Sequence, residues 1–142
     1  GKMRSFTVAD ADFFERARLS DFPDCWKKED IISSLNSGAL FGFVKEENGE
    51  VYAAAIYEKS FDTADLEDIY VLPEKRRTGA GLSLLTGSFR EIASLGVKKI
   101  FLEVREGNAP ARALYEKAGF KILSVRKRYY GEENAVVYIK EL

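Results

Sequence analysis

The chain has 142 residues, of which 46% are hydrophobic and 32% charged, and its formal net charge is −1. A chain of this length folds as one domain, because it can bury roughly two thirds of its unfolded surface without disulfides or metal ions. The balanced charge argues against a disordered chain and against a nucleic-acid-binding protein. With no histidine and one cysteine, the sequence lacks a Ser/His/Asp triad, a Cys/His pair and the usual zinc ligand sets. Proton transfer would therefore depend on carboxylate, tyrosine, lysine, backbone groups or water.

Hydrophobic stretches are short throughout the chain. The longest mainly apolar stretch, VYAAAIY at residues 51–57, is too short to span a bilayer, and the N-terminus lacks a signal-peptide hydrophobic region. We therefore expect a cytoplasmic protein without a membrane partner. Gly1 and Lys2 precede Met3 and look like the remnant of an expression tag, so the single domain is expected to cover residues 3–142.

The first third of the chain predicts a strand followed by two helices. Residues 4–8 have the pattern of a short strand, and Asp10 is placed to cap a helix that runs to about residue 19. A second helix is expected over residues 27–37, with Gly38 as its C-terminal stop.

Three strands are expected next. Two apolar runs flank Asn48-Gly49, a dipeptide that accepts the positive φ angles of a tight hairpin turn. A third strand follows at residues 64–72 and stops at Pro73. Its alternation places one set of side chains on one face and a second set on the other: Leu66, Asp68 and Tyr70 against Glu67, Ile69 and Val71.

The second half of the chain alternates strands and helices. Apolar residues at positions 82, 85, 89 and 92 predict an amphipathic helix that begins at Gly79 and closes at Gly96. A strand at residues 98–104, a helix at 108–118 and two final strands complete the chain. The resulting order, β-α-α-β-β-β-α-β-α-β-β, combines antiparallel hairpins with a β-α-β unit.

RRTGAGLSLL, residues 76–85, lies between a predicted strand and a predicted helix. Such a turn directs unpaired backbone N–H groups and the positive end of the helix dipole at one point, which suits a phosphate. Gly79 and Gly81 allow close approach of the anion, and Arg76 and Arg77 add charge and hydrogen bonds. The alternative is that the glycines only pack and the arginines are solvated. A nucleotide P-loop is excluded because Leu82 stands where its lysine would be.

The same stretch resembles the pyrophosphate-binding motif of the GNAT N-acetyltransferases, (Q/R)xxGx(G/A), which Arg76, Gly79 and Gly81 match. FLEVREGNAPARALYEKAGF, residues 101–120, resembles the second half of the same fold, and the likeness extends over residues 4–142. The resemblance implies a fold of the α/β (α+β) class, with a central, mixed, mostly antiparallel twisted sheet of about six to seven strands and about four flanking helices. It also implies acetyl-CoA as co-substrate and no metal.

Within that superfamily, the sequence is most similar to the bacterial ribosomal-protein-alanine N-acetyltransferases. FPDCW at residues 22–26, LEVREGN at 102–108 and RKRYYGEENAVVYIKEL at 126–142 carry this likeness, although Asp24 and Cys25 separate the early FP from Trp26. The resemblance implies acetylation of a protein N-terminal α-amine. The alternatives are a small-molecule amine acetyltransferase of the polyamine or aminoglycoside type, favoured by Glu67, and a non-catalytic acetyl-CoA-binding module.

Acetyl transfer to an amine needs a proton acceptor, a polarised carbonyl and a proton for the departing thiolate. The resemblance makes Glu103 the proton acceptor, and Glu67 is the alternative candidate for this role. Either residue could instead form a structural ion pair. Tyr115 is the candidate acid, or else a packed core tyrosine. The N–H group of Tyr70 or Val71 would stabilise the oxyanion.

The expected cofactor-binding residues are Ile69, Tyr70, Val71, Arg76, Arg77, Thr78, Gly79, Ala80, Gly81, Leu82 and Asn108, the last of which can also cap a helix.

The acceptor is expected to be a protein N-terminus or a small amine. Asp62, Asp65, Glu67 and Asp68 form an acidic stretch that suits a cationic amine, or else an ordinary solvated surface. Residues 126–134 are expected to form a loop over the acceptor channel, with Tyr129 and Tyr130 on one side and Trp26 on the other. The expected assembly is a monomer or a homodimer.

Overall fold

A computed structural model describes residues 1–19 and 27–142. Within these residues, seven strands and four α-helices follow one another in the predicted order, and two short 3₁₀ helices that were not predicted lie between them. The strands are β1 (Lys2–Ser5), β2 (Leu40–Glu47), β3 (Glu50–Ser60), β4 (Thr63–Val71), β5 (Lys99–Arg105), β6 (Lys121–Tyr130) and β7 (Glu133–Glu141). The helices are α1 (Ala11–Leu19), α2 (Lys28–Ser37), α3 (Ala80–Ser94) and α4 (Ala109–Lys117), and the 3₁₀ helices are Val8–Asp10 and Pro73–Lys75.

All seven of these strands form one sheet, in the order β1-β2-β3-β4-β5-β7-β6. Neighbouring strands are antiparallel except β4 and β5, which are parallel because α3 crosses between them. The predicted mixed, mostly antiparallel sheet is therefore confirmed. The predicted hairpin turn is also confirmed, since Asn48 and Gly49 join β2 to β3 with φ angles of 54° and 80°.

Helices cover both faces of the sheet. On one face, Phe14 of α1 and Ile31 of α2 are fully buried against side chains of β2 and β3. On the other face, α3 and α4 pack against the sheet in a larger apolar cluster that includes Leu84, Leu85 and Tyr115. Burial of each large apolar side chain stabilises the fold by about 1.5–3 kcal/mol, so both helical layers contribute to the stability of the sheet.

The N-terminal elements differ from the prediction. The first strand ends at Ser5 instead of continuing to residue 8, and Thr7 precedes a 3₁₀ turn. Asp10 is not the cap residue but lies three positions after it, where its buried carboxylate accepts the Thr7 N–H at 2.8 Å and pairs with Arg4. Lys2 belongs to β1 and lies opposite Glu46, so the sheet includes one residue that the sequence analysis set aside.

The buried face of α3 is displaced from the expected one. Leu85 and Ile92 are buried as predicted, but Leu84 and Ser88 are buried as well, whereas Leu82 is only partly covered. Ser88 is accommodated because its hydroxyl donates to the Leu85 carbonyl oxygen at 2.7 Å and lies 3.2 Å from the hydroxyl of Tyr57. The spacing of apolar residues could not predict the burial of Ser88, because a polar side chain is buried only when its hydrogen bonds are formed inside the protein.

Candidate active site

The parallel strands β4 and β5 are paired only at their beginnings. Their register covers Thr63 with Lys99, Ala64 with Ile100 and Asp65 with Phe101. Residues 66–71 of β4 and 102–105 of β5 are not paired with each other, and we call the space between them the β4–β5 opening. The edge of β4 presents backbone N–H and C=O groups to this opening, as an unpaired strand edge does.

A β-bulge in β4 stands at the start of the opening. Asp68 lies opposite Ile56 and Leu66 opposite Tyr57, which leaves Glu67 as the extra residue. The bulge inverts the alternation of the strand: Leu66 packs with the α3–α4 side, but Tyr70 packs with the α1–α2 side. The predicted uninterrupted alternation, with Leu66 and Tyr70 on one face, is therefore wrong.

The basic glycine turn leads from β4 into α3. Gly79 has φ 83° and precedes the helix, and the Ser83 N–H donates to the Gly79 carbonyl oxygen at 2.9 Å. The N–H groups of Ala80, Gly81 and Leu82 lie in the first turn, where a helix provides no acceptor. Together with the helix dipole, these donors make the turn fit for a pyrophosphate.

Three further residues of this turn have defined environments. Arg76 Nε donates to the Val71 carbonyl oxygen at 2.9 Å, and its guanidinium lies 5.4 Å from the centre of the Tyr70 ring. Arg77 is exposed and has φ 64°, and the Thr78 hydroxyl donates to the Lys75 carbonyl oxygen. The turn and the end of β4 are thus connected directly, beside the opening.

Asn108 begins the second helix expected at the cofactor site. Its side-chain oxygen accepts the Ala111 N–H at 3.3 Å, and Pro110 occupies the first turn of α4. The predicted cap is therefore confirmed. Its contact with the pantetheine arm stays a prediction.

A cavity of about 630 Å³ lies among β4, β5, β6 and β7. We call it the carboxylate cavity, because its charged lining consists of Asp65, Glu67, Glu103 and Arg126, beside apolar residues such as Leu102. The structure thus places both candidate proton acceptors, Glu67 and Glu103, in one cavity next to the β4–β5 opening. Glu103 forms an ion pair with Arg126, with Oε1 3.0 Å from Nη1.

Glu67 has an environment different from that of Glu103. Partial burial, a hydrogen bond with the Glu58 carboxyl group and nearby negative charges raise the pKa of Glu67 from its ordinary value of 4.5 to about 7. Burial, followed by the charges of Glu58 and Glu103, also raises the pKa of Asp65. Glu67 is therefore protonated at a higher pH than an ordinary glutamate.

Tyr115 of α4 is buried, with the rings of Phe120 and Tyr138 at centre distances of 6.0 and 6.3 Å. Burial raises the pKa of Tyr115 to about 12; the charge of Asp68 adds to the increase and Arg18 opposes it. The phenol consequently keeps its proton at neutral pH and is available as a hydrogen-bond donor.

Asp68 and Arg18 form a contact that the sequence analysis missed. Arg18 Nε and Nη2 donate to the two carboxylate oxygens of Asp68 at 2.8 and 2.9 Å, and the Ile69 N–H donates to the same carboxylate at 2.8 Å. The negative charge of Asp68 is therefore compensated by Arg18 within the protein, and Asp68 does not add to an acidic acceptor surface. Local sequence patterns do not predict a contact between two residues that are 50 positions apart in the chain.

The residues expected to line the acceptor channel are only partly described by the structure. Residues 126–130 belong to β6, and a turn connects them to β7, so the predicted loop over residues 126–134 is largely a strand hairpin. Tyr129 is half exposed, and its ring lies 5.4 Å from the guanidinium of Arg126. Trp26 and the side chain of Tyr130 lie outside the described residues. Asp62 precedes β4 and does not line the carboxylate cavity.

Neither a metal cluster nor a membrane span is found in the described part of the chain. No three His, Cys, Asp or Glu side chains within residues 1–19 and 27–142 are arranged to hold a metal ion. Among the helices of those residues, none is long and apolar enough to cross a membrane.

Comparison with known proteins agrees with this geometry. The chain matches the Acetyltransferase (GNAT) family over residues 11–120 and belongs to that family. It is 36% identical over 124 residues to the [ribosomal protein bS18]-alanine N-acetyltransferase of Escherichia coli K12, covering 84% of this chain and 82% of the relative. It is 40% identical over 132 residues to the protein of the same name from Salmonella typhimurium, covering 83% and 89%.

A solved structure shows the same fold over nearly the whole chain. The crystal structure of the ribosomal-protein-S18-alanine N-acetyltransferase from Escherichia coli superposes with a TM-score of 0.84 at 29% identity, covering 99% of this chain and 92% of that one. The protein is therefore an N-acetyltransferase that uses acetyl-CoA to acetylate an amine. This finding favours an enzyme over the alternative of a non-catalytic binding module.

Proposed function

We propose that this enzyme acetylates the N-terminal α-amine of a protein, and specifically the alanine at the N-terminus of ribosomal protein bS18. The observation that carries the proposal is the carboxylate cavity beside the β4–β5 opening, because an amine could enter it and meet an acetyl group held along β4. The identity of 36% to an enzyme named for bS18 supports the choice of acceptor.

Glu103 is the proposed proton acceptor. Glu103 is ion-paired with Arg126, whereas burial and the neighbouring carboxyl group of Glu58 raise the pKa of Glu67 to about 7. Glu103 removes a proton from the acceptor ammonium through water, and the free amine then attacks the thioester carbon. The backbone N–H of Tyr70 or Val71 stabilises the oxyanion formed by this attack.

Tyr115 acts on the sulfur as the C–S bond breaks. A phenol with a pKa of about 12 is a weaker acid than a thiol with a pKa of about 8.5, so transfer of its proton to the thiolate is energetically unfavourable. Tyr115 therefore donates a hydrogen bond to the developing thiolate first and gives up its proton late. The acetylated nitrogen releases its second proton to water, and Tyr115 regains a proton from water. The first turn of α3 with Arg76 and Arg77 holds the pyrophosphate, Asn108 holds the pantetheine arm, and neither requires a metal.

A small polycationic amine is the second candidate acceptor. Asp65 and Glu67 line the carboxylate cavity and Glu58 is bonded to Glu67, an acidic group that suits a polyamine. We also propose that the reaction takes place in the cytoplasm, where ribosomal proteins are made. The enzyme acts there as a monomer or homodimer, without a nucleic-acid or membrane partner.

Acetyl-CoA consumption should be measured with the N-terminal hexapeptide of bS18 and, in parallel, with spermidine. We expect turnover on the peptide that falls at least about 100-fold in Glu103→Gln and less than about tenfold in Glu67→Gln. Turnover on spermidine alone, lost chiefly in Glu67→Gln, would instead support the second candidate.

A further inference from the structure

The loop between β5 and α4, residues 106–108, is held by the first residue of β7. Glu133 Oε2 accepts the Gly107 N–H at 2.9 Å, and Glu133 Oε1 accepts a hydrogen bond from Arg105 Nη1 at 3.3 Å. A single carboxylate therefore binds the last residue of β5 and the residue that precedes Asn108, the helix cap expected to contact the pantetheine arm.

Backbone hydrogen bonds connect this contact to Asn108. The Glu106 N–H donates to the Asn134 carbonyl oxygen at 3.0 Å, so the pairing of β5 with β7 extends into the loop. The Asn108 N–H donates to the Arg105 carbonyl oxygen at 3.0 Å. Because the loop is this short and this closely bonded, the position of Asn108 depends on that of Gly107.

Gly107 lets the Glu133 carboxylate approach the loop closely. A Cβ atom added at Gly107 would lie 2.7 Å from Glu133 Oε2, so another residue there would displace the carboxylate. The φ angle of Gly107 does not lie in the left-handed region. The contact with the carboxylate, and not backbone strain, therefore explains why glycine suits this position.

The charge of Glu133 opposes the binding of acetyl-CoA. Acetyl-CoA is an anion, the Glu133 side chain is 37% exposed, and like charges repel each other. A favourable contribution of Glu133 to acetyl-CoA binding can therefore come only from the geometry that it imposes on the loop. This difference in sign separates a positioning role from simple electrostatics.

We propose that Glu133 is a positioning residue for acetyl-CoA, whose carboxylate fixes the loop of residues 106–108 so that Asn108 lies where it binds the pantetheine arm. The proposal rests on the proposed function for the contact of Asn108 with pantetheine, and it is independent of the acceptor. It assigns Glu133 no contact with either substrate and no part in proton transfer.

Calorimetric titration of the whole protein with acetyl-CoA, without an acceptor, tests the proposal. We expect Glu133→Ala to weaken acetyl-CoA binding about tenfold, because the loop is no longer held in its binding conformation. Glu133→Gln keeps an oxygen for the Gly107 N–H and should restore binding to within about threefold of the wild type. Gly107→Ala displaces the carboxylate and should resemble Glu133→Ala. Glu132→Ala removes the same charge from the adjacent exposed turn and should not weaken binding.

The same titration in an Asn108→Ala protein shows whether Glu133 acts through Asn108. Glu133→Ala should cause no further loss in that background, because the two substitutions remove one interaction. Unchanged or tighter binding by Glu133→Ala beside weakened binding by Asn108→Ala would overturn this proposal alone, as would an equal further loss in the double variant. Unchanged binding by Asn108→Ala would refute the pantetheine contact in the proposed function, and this proposal with it.

Discussion

Arg18 and Asp68 form a two-bond ion pair that ties α1 to the bulged strand β4, with side chains only 13% and 18% exposed. Arg18 also lies 5.1 Å from the centre of the Tyr70 ring. The pair therefore lies directly behind the strand segment expected to bind the acetyl group and the pantetheine.

Replacing Arg18 by Met leaves the Asp68 carboxylate buried without its counter-charge. We expect the free energy of unfolding, measured by urea denaturation, to fall by about 3 kcal/mol. Arg16→Met is the matched control, because the Arg16–Asp12 pair is exposed and should contribute less than about 0.5 kcal/mol. Equal losses in the two variants would show that the buried pair does not stabilise β4.

Glu67 should give the protein a stability that depends on pH. Because the pKa of Glu67 is raised from 4.5 to about 7 in the folded state, the folded protein binds more protons than the unfolded chain in this range. The free energy of unfolding should therefore fall as pH rises from about 4.5 to about 7, by about 1 kcal/mol after allowance for solvent screening.

Glu67→Gln should remove this part of the pH dependence. Urea denaturation at pH 5 and pH 8 measures it, and Glu132→Gln, in the exposed turn before β7, is the control. If wild type and Glu67→Gln lost the same stability between the two pH values, the raised pKa would be contradicted.

Gly79 and Gly81 should respond differently to alanine. Gly79 has φ 83°, so Gly79→Ala should cost about 1 kcal/mol of stability and weaken acetyl-CoA binding about tenfold by displacing the N–H donors. At Gly81, an added Cβ would lie 3.4 Å from the Leu114 side chain, an ordinary contact. Gly81→Ala should therefore change both the urea midpoint and the calorimetric Kd little. The reverse order would contradict the placement of the pyrophosphate turn.

Tyr115→Phe should lower kcat by about 100-fold while the KM for acetyl-CoA changes less than about twofold. The ring keeps its packing and only the hydroxyl is lost. Tyr138→Phe is the control: its hydroxyl accepts from Arg112 and donates to Glu116, so its removal should reduce stability and leave kcat near the wild-type value. A Tyr115→Phe enzyme with full kcat would exclude the proposed acid.

Tyr130→Ala tests the acceptor side of the site. If the end of β6 contacts the peptide, the substitution should raise the KM for the hexapeptide more than the Kd for acetyl-CoA. Parallel loss of peptide turnover and acetyl-CoA binding would count against that role. Steady-state kinetics and calorimetry on the same preparation separate the two outcomes.

Local sequence patterns predicted the features that depend on neighbouring residues. The Asn48-Gly49 turn, the Gly38 stop of α2 and the Asn108 cap each follow from the backbone preferences of one or two residues, and all three are present. The residue patterns also predicted the order of the elements, and the sequence resemblance predicted the mixed sheet.

Long-range contacts were not predictable in the same way. The bulge at Glu67 depends on the register with β3, and the Glu103–Arg126 pair depends on the packing of β6 beside β7. These contacts distinguish Glu103 from Glu67, two residues of equal chemistry that the sequence alone left as rivals.

The most direct test of the central claim is mass spectrometry of intact bS18 after incubation with the enzyme and acetyl-CoA. We expect one acetyl group, located by fragmentation on the α-amine of the N-terminal alanine, and almost none with the Glu103→Gln enzyme. Acetyl groups confined to lysine side chains, or equal modification by wild type and Glu103→Gln, would contradict the proposed function.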